Sequence, residues 1–501
     1  MTQHLIVPSN PTPNGDLHIG HIAGPYIGAD ALRRAAIARG EDAAVLLGTA
    51  WQQTHVLLAA RRQGRDVLAV ASEFAAQIEE SFAAADIGYD VMLRHEDMPS
   101  IEQMTRRAWS TLRELGMIVV RDSVAHYCSP CRAWRFQGLV AGRCPRCGSS
   151  DAYGIDCEQC GLYHDDAELL DAVCTVCHEP TELRPLRRAF LELEPQRAWF
   201  EQYLGSITLG DPVREYAESV LSEALPSVAV TVLGGPGIPA LDEELPGQTI
   251  YPAFELAPRY VVMTARHRAG SAYEPARTRT TMVFGVDNAF ERVFLFPAVL
   301  RGLTETHAPF PDVMHSTYFY MLDGAKFSTS RRHIVGVAEL VGVAGADAAR
   351  LYLAANRPER SPTNFTRSAF EESAEVSAVR RLRAWADTGE VPPGDADTGE
   401  VPPGDEDSSR DPCIELEHAA SELADALRPE SLSCQNAARA VLTLTGLAGA
   451  SHGDRFRDAV LKVLVNGAVL VPDTAARLAS AFAVPRTRFD GAAQRTSGGR
   501  G

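Results

Sequence analysis

Ser9-Asn10-Pro11-Thr12-Pro13-Asn14-Gly15-Asp16-Leu17-His18-Ile19-Gly20-His21 is the stretch whose reading decides the fold. Before it runs a short apolar segment, His4-Leu5-Ile6-Val7-Pro8, read as a strand over residues 4–8. After it, residues 18–40 carry helical spacing and close at Gly40, a residue suited to a helix C-terminus. The quoted stretch is therefore the turn from a first strand into a helix. Residues 43–50 (AAVLLGTA) read as a second, buried strand, and TLRELGMIVVRD (residues 111–122) ends a helix and begins another strand. This order predicts an α/β fold with a doubly wound parallel sheet, whose ligands sit at the carboxyl ends of the strands. Two loops would meet there: residues 9–15, crowded with small polar residues and prolines, and residues 49–53.

The chain has 501 residues, too many for one ordinary core, so two to four domains are expected. Hydrophobic content of 45% with 23% charged residues is a soluble, globular balance. No apolar run is long enough to span a bilayer, and the start enters a strand without a basic, apolar leader. The expectation is a cytoplasmic protein with no membrane partner. A net charge of −17 gives no general attraction to nucleic acid, although an acidic chain can still carry a basic groove.

Eight of the ten cysteines form four Cys-x-x-Cys pairs: Cys128/Cys131, Cys144/Cys147, Cys157/Cys160 and Cys174/Cys177. Each such turn presents two thiolates to one ion, and two turns complete a tetrahedral set. Eight thiolates make two closed zinc sites, structural rather than catalytic, in preference to disulfides or a redox centre. Further on, DTGEVPPGD occurs at 387–395 and again at 397–405. Two acidic, turn-rich copies bury no core, so the segment reads as a linker.

With these parts in order, PNGDLHIGH after a first strand resembles the first signature of the class I aminoacyl-tRNA synthetases. DGAKFSTSRR (residues 323–332) resembles the second, Lys-Met-Ser-Lys-Ser. The knuckles with GRCPRCGSSDAYGIDCEQCG, together with VFGVDNAFERVFLFPAVL (residues 283–300), resemble the methionyl-tRNA synthetase family in particular, over residues 4 to 375. The resemblance implies a Rossmann-type catalytic domain whose halves are residues 1–120 and 191–345, the second carrying the Lys-Phe-Ser-Thr-Ser loop. A zinc-knuckle insertion would fill 121–190. A helical stem-contact region (346–385), the linker (386–410), an anticodon-domain-like helical bundle (411–487) and a disordered tail (488–501) would follow. It implies that Cys144, Cys147, Cys157 and Cys160 share one zinc, and Cys128, Cys131, Cys174 and Cys177 the other.

The resemblance also implies the chemistry: an amino acid's α-carboxylate attacks the α-phosphorus of ATP, which acts with Mg²⁺, and pyrophosphate leaves. Catalysis of this kind is positioning and stabilisation of charge. His18 and His21 would donate to the phosphates at a helix start. Asn14 and Gly15 would let the nucleotide approach the backbone. Gly285 and Asp287 match the ribose-binding Gly-x-Asp, and Lys326 would neutralise pyrophosphate, with Ser328 and Ser330 on the same ATP-binding loop.

Departures from the family concentrate elsewhere. An apolar Ala-Leu-Pro-Tyr-Ala-Asn-Gly is replaced by residues 9–15, which introduces Ser9, Asn10 and Thr12. The family's Ile and His after Gly-x-Asp become Asn288 and Arg292, and the pocket tryptophan aligns with Phe254. These positions form the expected amino-acid pocket. A thioether cannot satisfy such polar groups, and each buried unpaired one costs roughly 1–3 kcal/mol. A buried arginine needs an anion, so a polar substrate, such as one with glutamate's side-chain carboxylate, is expected. The rival reading for Arg292 is an internal salt bridge with Glu255 or Glu291. The carboxylate that holds the substrate ammonium in Gly-Thr-Asp-Glu-His-Gly is missing from Gly48-Thr49-Ala50-Trp51-Gln52-Gln53. The second signature lysine is Thr329, a loss of about 10²–10³ in rate unless Arg331 or Arg332 compensates.

Residues 411–501 contain no Trp, no Tyr and three Phe, with ten basic and ten acidic residues. Reading unpaired bases needs aromatic platforms and positive charge, so tRNA is a doubtful partner and these helices read as a retained structural bundle. The expectation is an ATP-dependent ligase that activates a polar, even acidic, amino acid and passes it to a small-molecule or carrier acceptor in biosynthesis. Relatives in hydrazine-forming pathways work this way beside a cupin, which here would be a separate protein. The alternatives are a genuine methionine–tRNA ligase and a non-catalytic paralogue that binds an amino acid or nucleotide.

Overall fold

The computed structural model of the chain describes residues 2–150, 152–157, 159–240, 242–269, 277–327, 333–390, 412–449, 459–461, 463–464 and 469–483. Its centre is a six-stranded sheet built from β1 (Gln3–Pro8), β2 (Asp42–Gly48), β3 (Val91–Leu93), β4 (Thr208–Leu209), β5 (Thr278–Gly285) and β6 (Val313–Thr317). The spatial order is β4-β6-β5-β1-β2-β3, and every neighbouring pair is parallel. Chain order reverses between β1 and β5, so the connections leaving these two strands part to opposite faces and open a crevice at their carboxyl ends. β1 is buried along its whole length and reads as a continuous apolar run because helices cover both faces.

The helix after β1 is not continuous as the sequence suggested. It comprises Ile19–His21, a π-helical turn over Ile22–Tyr26, and Ile27–Ala38. Pro25 inside the turn has no N–H to donate, and Gly24 leaves helical geometry at ψ −110°.

Two other expectations are corrected. The strand beginning at Ile118 does not join the parallel sheet. It runs as Ile118–Cys128, antiparallel to Glu182–Glu192, and carries the cysteine module on a long two-stranded stalk. The third parallel strand is instead Val91-Met92-Leu93, too short to show a period. The linker's first residues are also helical: Ala374–Thr388 forms one helix, ended by Gly389 at φ +69°, so 386–388 belong to the helix. The body of the repeat, within 391–411, lies outside the described residues, as do 484–501.

Helices Ala346–Ala355, Ala374–Thr388, Pro412–Ala426, Cys434–Gly449 and Pro472–Ala481 share one apolar core with the helix after β1. A buried ion cluster clamps the two. Arg34 and Arg350 both bond Asp30 (2.8 and 2.6 Å), and Arg350 also donates to Asp86 O and Val469 O. Burial opposes ionisation of Asp30, but the two guanidiniums outweigh it and hold its pKa below the usual carboxylate value. Among the described residues, no helix is long and apolar enough to cross a membrane.

Candidate functional site

The turn leaving β1 is held on both sides. Ser9 N–H donates to Val283 O of β5 (3.0 Å), Ala50 N–H to Pro11 O (2.9 Å), and Gly48 N–H to Asn10 Oδ1 (3.2 Å). Asp16 Oδ1 accepts from Leu17 N–H (2.6 Å) and the Ser81 hydroxyl (2.8 Å), which fixes the entry to the helix. Asn14 is exposed and Gly15 buried beside it. His18 pairs with Gly336 in an isolated antiparallel bridge, and Ile19 N–H donates to Val335 O (3.0 Å). These bonds tie the first signature to the segment that follows the second. The His18 ring lies between His21 (centroids 3.7 Å apart) and Phe327 (4.4 Å). Burial first, then the neighbouring His21, keeps His18 well below its ordinary pKa, so the imidazole is neutral at neutral pH.

Lys326 sits on a short strand opposite Met321, across a turn in which Asp323 and Gly324 have φ of 48° and 80°. Asp-Gly is the pair such a two-residue hairpin favours. Its ammonium lies 4.0 Å from the Phe319 ring centroid. Ser328 and Ser330, with Thr329, Arg331 and Arg332, lie outside the described residues. At the end of β5, the Asp287 carboxylate folds back against Gly285, so a Cβ there would push its Oδ1 aside.

The amino-acid side differs from the expectation in three respects. Ser9 Oγ donates to Asn288 Oδ1 (2.9 Å), and Asn10 Oδ1 is committed to Gly48, so these new polar groups largely satisfy one another. They do not by themselves exclude a thioether. Phe254 is 0% exposed and packs edge-on to Trp109 (5.9 Å) within the apolar core. Arg292 does not pair with Glu255, which is 0% exposed and holds Arg259 (2.9 Å). Arg292 is 5% exposed and its Nε has no partner. Its charged surroundings are Glu291, on its own π-helical turn, and the Tyr26 hydroxyl, which donates to Ser9 O (3.1 Å). Thr12 is half-buried on the same turn as Ser9.

No acid on the strand-two loop replaces the missing carboxylate. Arg259 spans that region instead: it donates to Thr49 O (3.0 Å), lies over the Trp51 ring (4.1 Å) and takes Glu255. With its amide turned so that NH2 faces the acid, Gln52 also donates to Glu255. Reading the sequence missed this cluster. Trp51, a large aromatic in a strand-exit loop, was the available signal.

The eight knuckle thiols fall into two groups, Cys128/Cys131/Cys174/Cys177 and Cys144/Cys147/Cys157/Cys160, each with all Sγ atoms within 4.8 Å of one another. Sulfur pairs across turns stand 3.4 Å (Cys128–Cys177), 3.9 Å (Cys131–Cys174), 3.9 Å (Cys144–Cys160) and 3.6 Å (Cys147–Cys157) apart. A tetrahedron of zinc–thiolate bonds has edges of about 3.8 Å, so both groups fit zinc and neither contains a disulfide. Arg135 Nε donates to Cys174 Sγ (2.9 Å). Burial would raise that thiol's pKa, but the Cys177 and Val176 amides and Arg135 outweigh it and bring Cys174 down to about 6.

The knuckles also touch the crevice. Tyr163 stacks on Phe290 (4.5 Å), between Asp287 and Arg292. Gln137 accepts from the Thr54 hydroxyl (2.9 Å) at the helix after β2. Neither contact carries a sequence signal.

Comparisons with known proteins follow this geometry. The family described as tRNA synthetases class I (M) matches residues 4–382. Methionine–tRNA ligase of Pyrococcus abyssi is 27% identical over 401 residues, 76% of this chain and 55% of that enzyme. Those of Pyrobaculum arsenaticum and Rubrobacter xylanophilus are 28% and 27% identical, covering 70% and 76% of this chain and 62% and 69% of theirs. The chain thus spans little more than half the length of several curated relatives. Methionyl-tRNA synthetase of Mycobacterium tuberculosis, solved with methionyl-adenylate, superposes with a TM-score of 0.66 at 18% identity over 95% of this chain and 93% of that one. With both signatures meeting at one crevice and the family match covering most of its length, the chain belongs to the class I tRNA synthetase family, in its methionyl branch.

Proposed function

We propose that the chain is an ATP-dependent, amino-acid-activating ligase. The observation that supports this is the meeting of the two signatures: Phe327, next to Lys326, stacks on His18 (4.4 Å), and the turn leaving β1 is bonded to β5 through Ser9 N–H and Val283 O (3.0 Å). ATP lies across that crevice. Asp287 accepts from a ribose hydroxyl, and Asn14 and Gly15 let the nucleotide approach the chain. His18 and His21 donate to the phosphates, and Lys326 neutralises the departing charge. The substrate's carboxylate oxygen bonds to the α-phosphorus, the bond to the bridging oxygen breaks, and Mg²⁺-pyrophosphate leaves. An acceptor nucleophile then takes the acyl group and releases AMP.

Charging of tRNA with methionine has the broadest support, because it is the activity in the name of each curated relative above. One observation favours a second reading: a buried guanidinium at Arg292, with its Nε lacking an acceptor and no ion pair to a described acid, does not suit a thioether. On that reading the substrate is polar and the acceptor is a small molecule or carrier. Both zinc sites are structural on either reading, since four thiolates leave no open position.

ATP–pyrophosphate exchange on zinc-loaded protein, with each standard amino acid, tests the proposal. Exchange with methionine, followed by tRNA charging, supports the first reading. Exchange with a polar amino acid alone supports the second. ATP binding without exchange for any amino acid removes both and leaves a binding paralogue.

A further inference from the structure

Eight arginines are buried among the described residues: Arg33, Arg34, Arg135, Arg188, Arg259, Arg292, Arg350 and Arg357. Seven have an acidic partner. Arg33 takes Asp90 (2.8 Å), Arg34 and Arg350 share Asp30, and Arg188 takes Asp165 (3.0 Å). Arg259 takes Glu255, Arg357 takes Glu359 (3.0 Å), and Arg135 takes the Cys174 thiol. The rule behind this is general: a guanidinium cannot shed its proton, so removing it from water requires a counter-ion.

Arg292 breaks the rule. It is as buried as the others, yet among the described residues no carboxylate oxygen comes within 4.0 Å and its Nε is sealed without an acceptor. The groups that face it are Glu291 on its own turn and Tyr26 on the helix after β1. Tyr26 is occupied with Ser9 O. Asn288, one turn earlier, is occupied with Ser9 Oγ. These contacts place the unpaired cation behind the Ser9 turn, beside the Gly285–Asp287 strand end. Glu291 acts on Arg292 only from beyond ion-pair distance, and burial works against its ionisation, so the guanidinium is left without a close counter-ion among the described residues.

We propose that Arg292 is a specificity-determining residue whose missing counter-ion is the side-chain carboxylate of the amino-acid substrate, so that the substrate is a dicarboxylic amino acid of the aspartate or glutamate class. This rests on the activation reading and on the second of its two forms. The planar fork of a guanidinium accepts a carboxylate through two parallel hydrogen bonds, which a neutral amide matches only in part and a thioether not at all. Ser9 and Asn288, already paired, form a polar wall that tolerates a carboxylate without competing for it.

The test uses full-length, zinc-loaded protein, with aspartate, glutamate, their amides and methionine as probes. Wild type is expected to catalyse ATP–pyrophosphate exchange with one of the acids at least tenfold better than with its amide or with methionine. Arg292→Gln is expected to lose 100-fold or more in kcat/KM for that acid while the KM for ATP stays within twofold. Arg292→Lys should recover part of the loss. Exchange with methionine or an amide at the same level as the acids overturns the inference, and so does an unchanged Arg292→Gln.

Thermal melting separates a ligand-binding role from a structural one. A structural arginine lowers Tm when replaced, whereas an unpaired cation held for a ligand raises Tm when replaced by an apolar side chain of similar length. Arg292→Met should therefore melt higher than wild type, and the acid should raise Tm in wild type but not in this variant. A lower Tm in Arg292→Met overturns the inference. If no amino acid supports exchange, the activation reading fails separately: a stabilisation by aspartate or glutamate that Arg292→Met abolishes still upholds Arg292 as a carboxylate site, and its absence overturns it.

Discussion

The two sides of the crevice differ in what they leave unsatisfied: a neutral ring nitrogen, His18 Nδ1, on one, and a guanidinium nitrogen, Arg292 Nε, on the other. On the nucleotide side, His18, Lys326 and Asp287 stand on elements locked by backbone bonds: the bridge to Gly336, the Asp323–Gly324 hairpin and the end of β5. On the amino-acid side, Ser9 and Asn288 satisfy each other, Asn10 is bound to Gly48, and Arg292 alone lacks a partner. The contrast shows that a list of polar substitutions is a weak guide to a substrate. Polar groups that arrive together can cancel, and only the charge left over after that cancellation asks for a ligand.

Asp30 sharpens this contrast most, because it shows what a satisfied buried arginine looks like. Asp30→Ala would strand Arg350 and leave Arg34 with Asp86 alone (3.2 Å), and is expected to cost about 3–5 kcal/mol, read by denaturant unfolding. A cost under 1 kcal/mol would break the comparison with Arg292. The cluster also predicts acid sensitivity. Asp30 has a depressed pKa in the folded state, so its contribution is complete above about 3.9, the unfolded value, and is lost as pH falls through the lower folded value.

On the nucleotide side, His18→Ala is expected to lower pyrophosphate exchange about 10²–10³-fold whichever amino acid is used. A loss confined to one amino acid would mean that the two sides are not separable. Gly285→Ala drives a Cβ into Asp287 and should raise the KM for ATP by about tenfold, the equivalent of ~1.4 kcal/mol, with little change for the amino acid.

The smallest effect concerns Glu291. Burial, together with the charge of Asp287 and against the pull of Arg292, moves its carboxyl up to about 7. As pH rises through that value Glu291 gains a negative charge beside Arg292 and competes with a substrate carboxylate. The KM for an acidic amino acid should rise by about two- to threefold between pH 6 and 8, on the scale of a partly screened neighbouring charge. Glu291→Gln should flatten that profile, and an unchanged slope would show that Glu291 does not reach Arg292.

Much of the frame was legible in the chain. The apolar run at residues 4–8 did become the central strand, and the spacing of the knuckles did anticipate two four-thiol groups. Local chemistry suffices for these: a buried parallel strand must be apolar, and a Cys-x-x-Cys turn brings its own two sulfurs together. Val91–Leu93 was not legible, because three residues carry no period, and Ile118–Cys128 was assigned to the wrong sheet, because a strand's apolar content does not name its neighbour. The helix break at Pro25 was visible as a residue but not as the turn that carries Tyr26 towards Arg292.

At the crevice the division follows range. The sequence by itself determined which chemistry-bearing residues exist and in what order, since signatures and knuckles are local patterns. Only the tertiary structure decided which of them satisfy one another: Ser9 with Asn288 across 279 residues, Asp30 with Arg350 across 320. Whether a buried charge is paired depends on what the fold brings within about 4 Å of it. For Arg259 the fold brings Glu255, and for Arg292 it brings no carboxylate of the described residues that close.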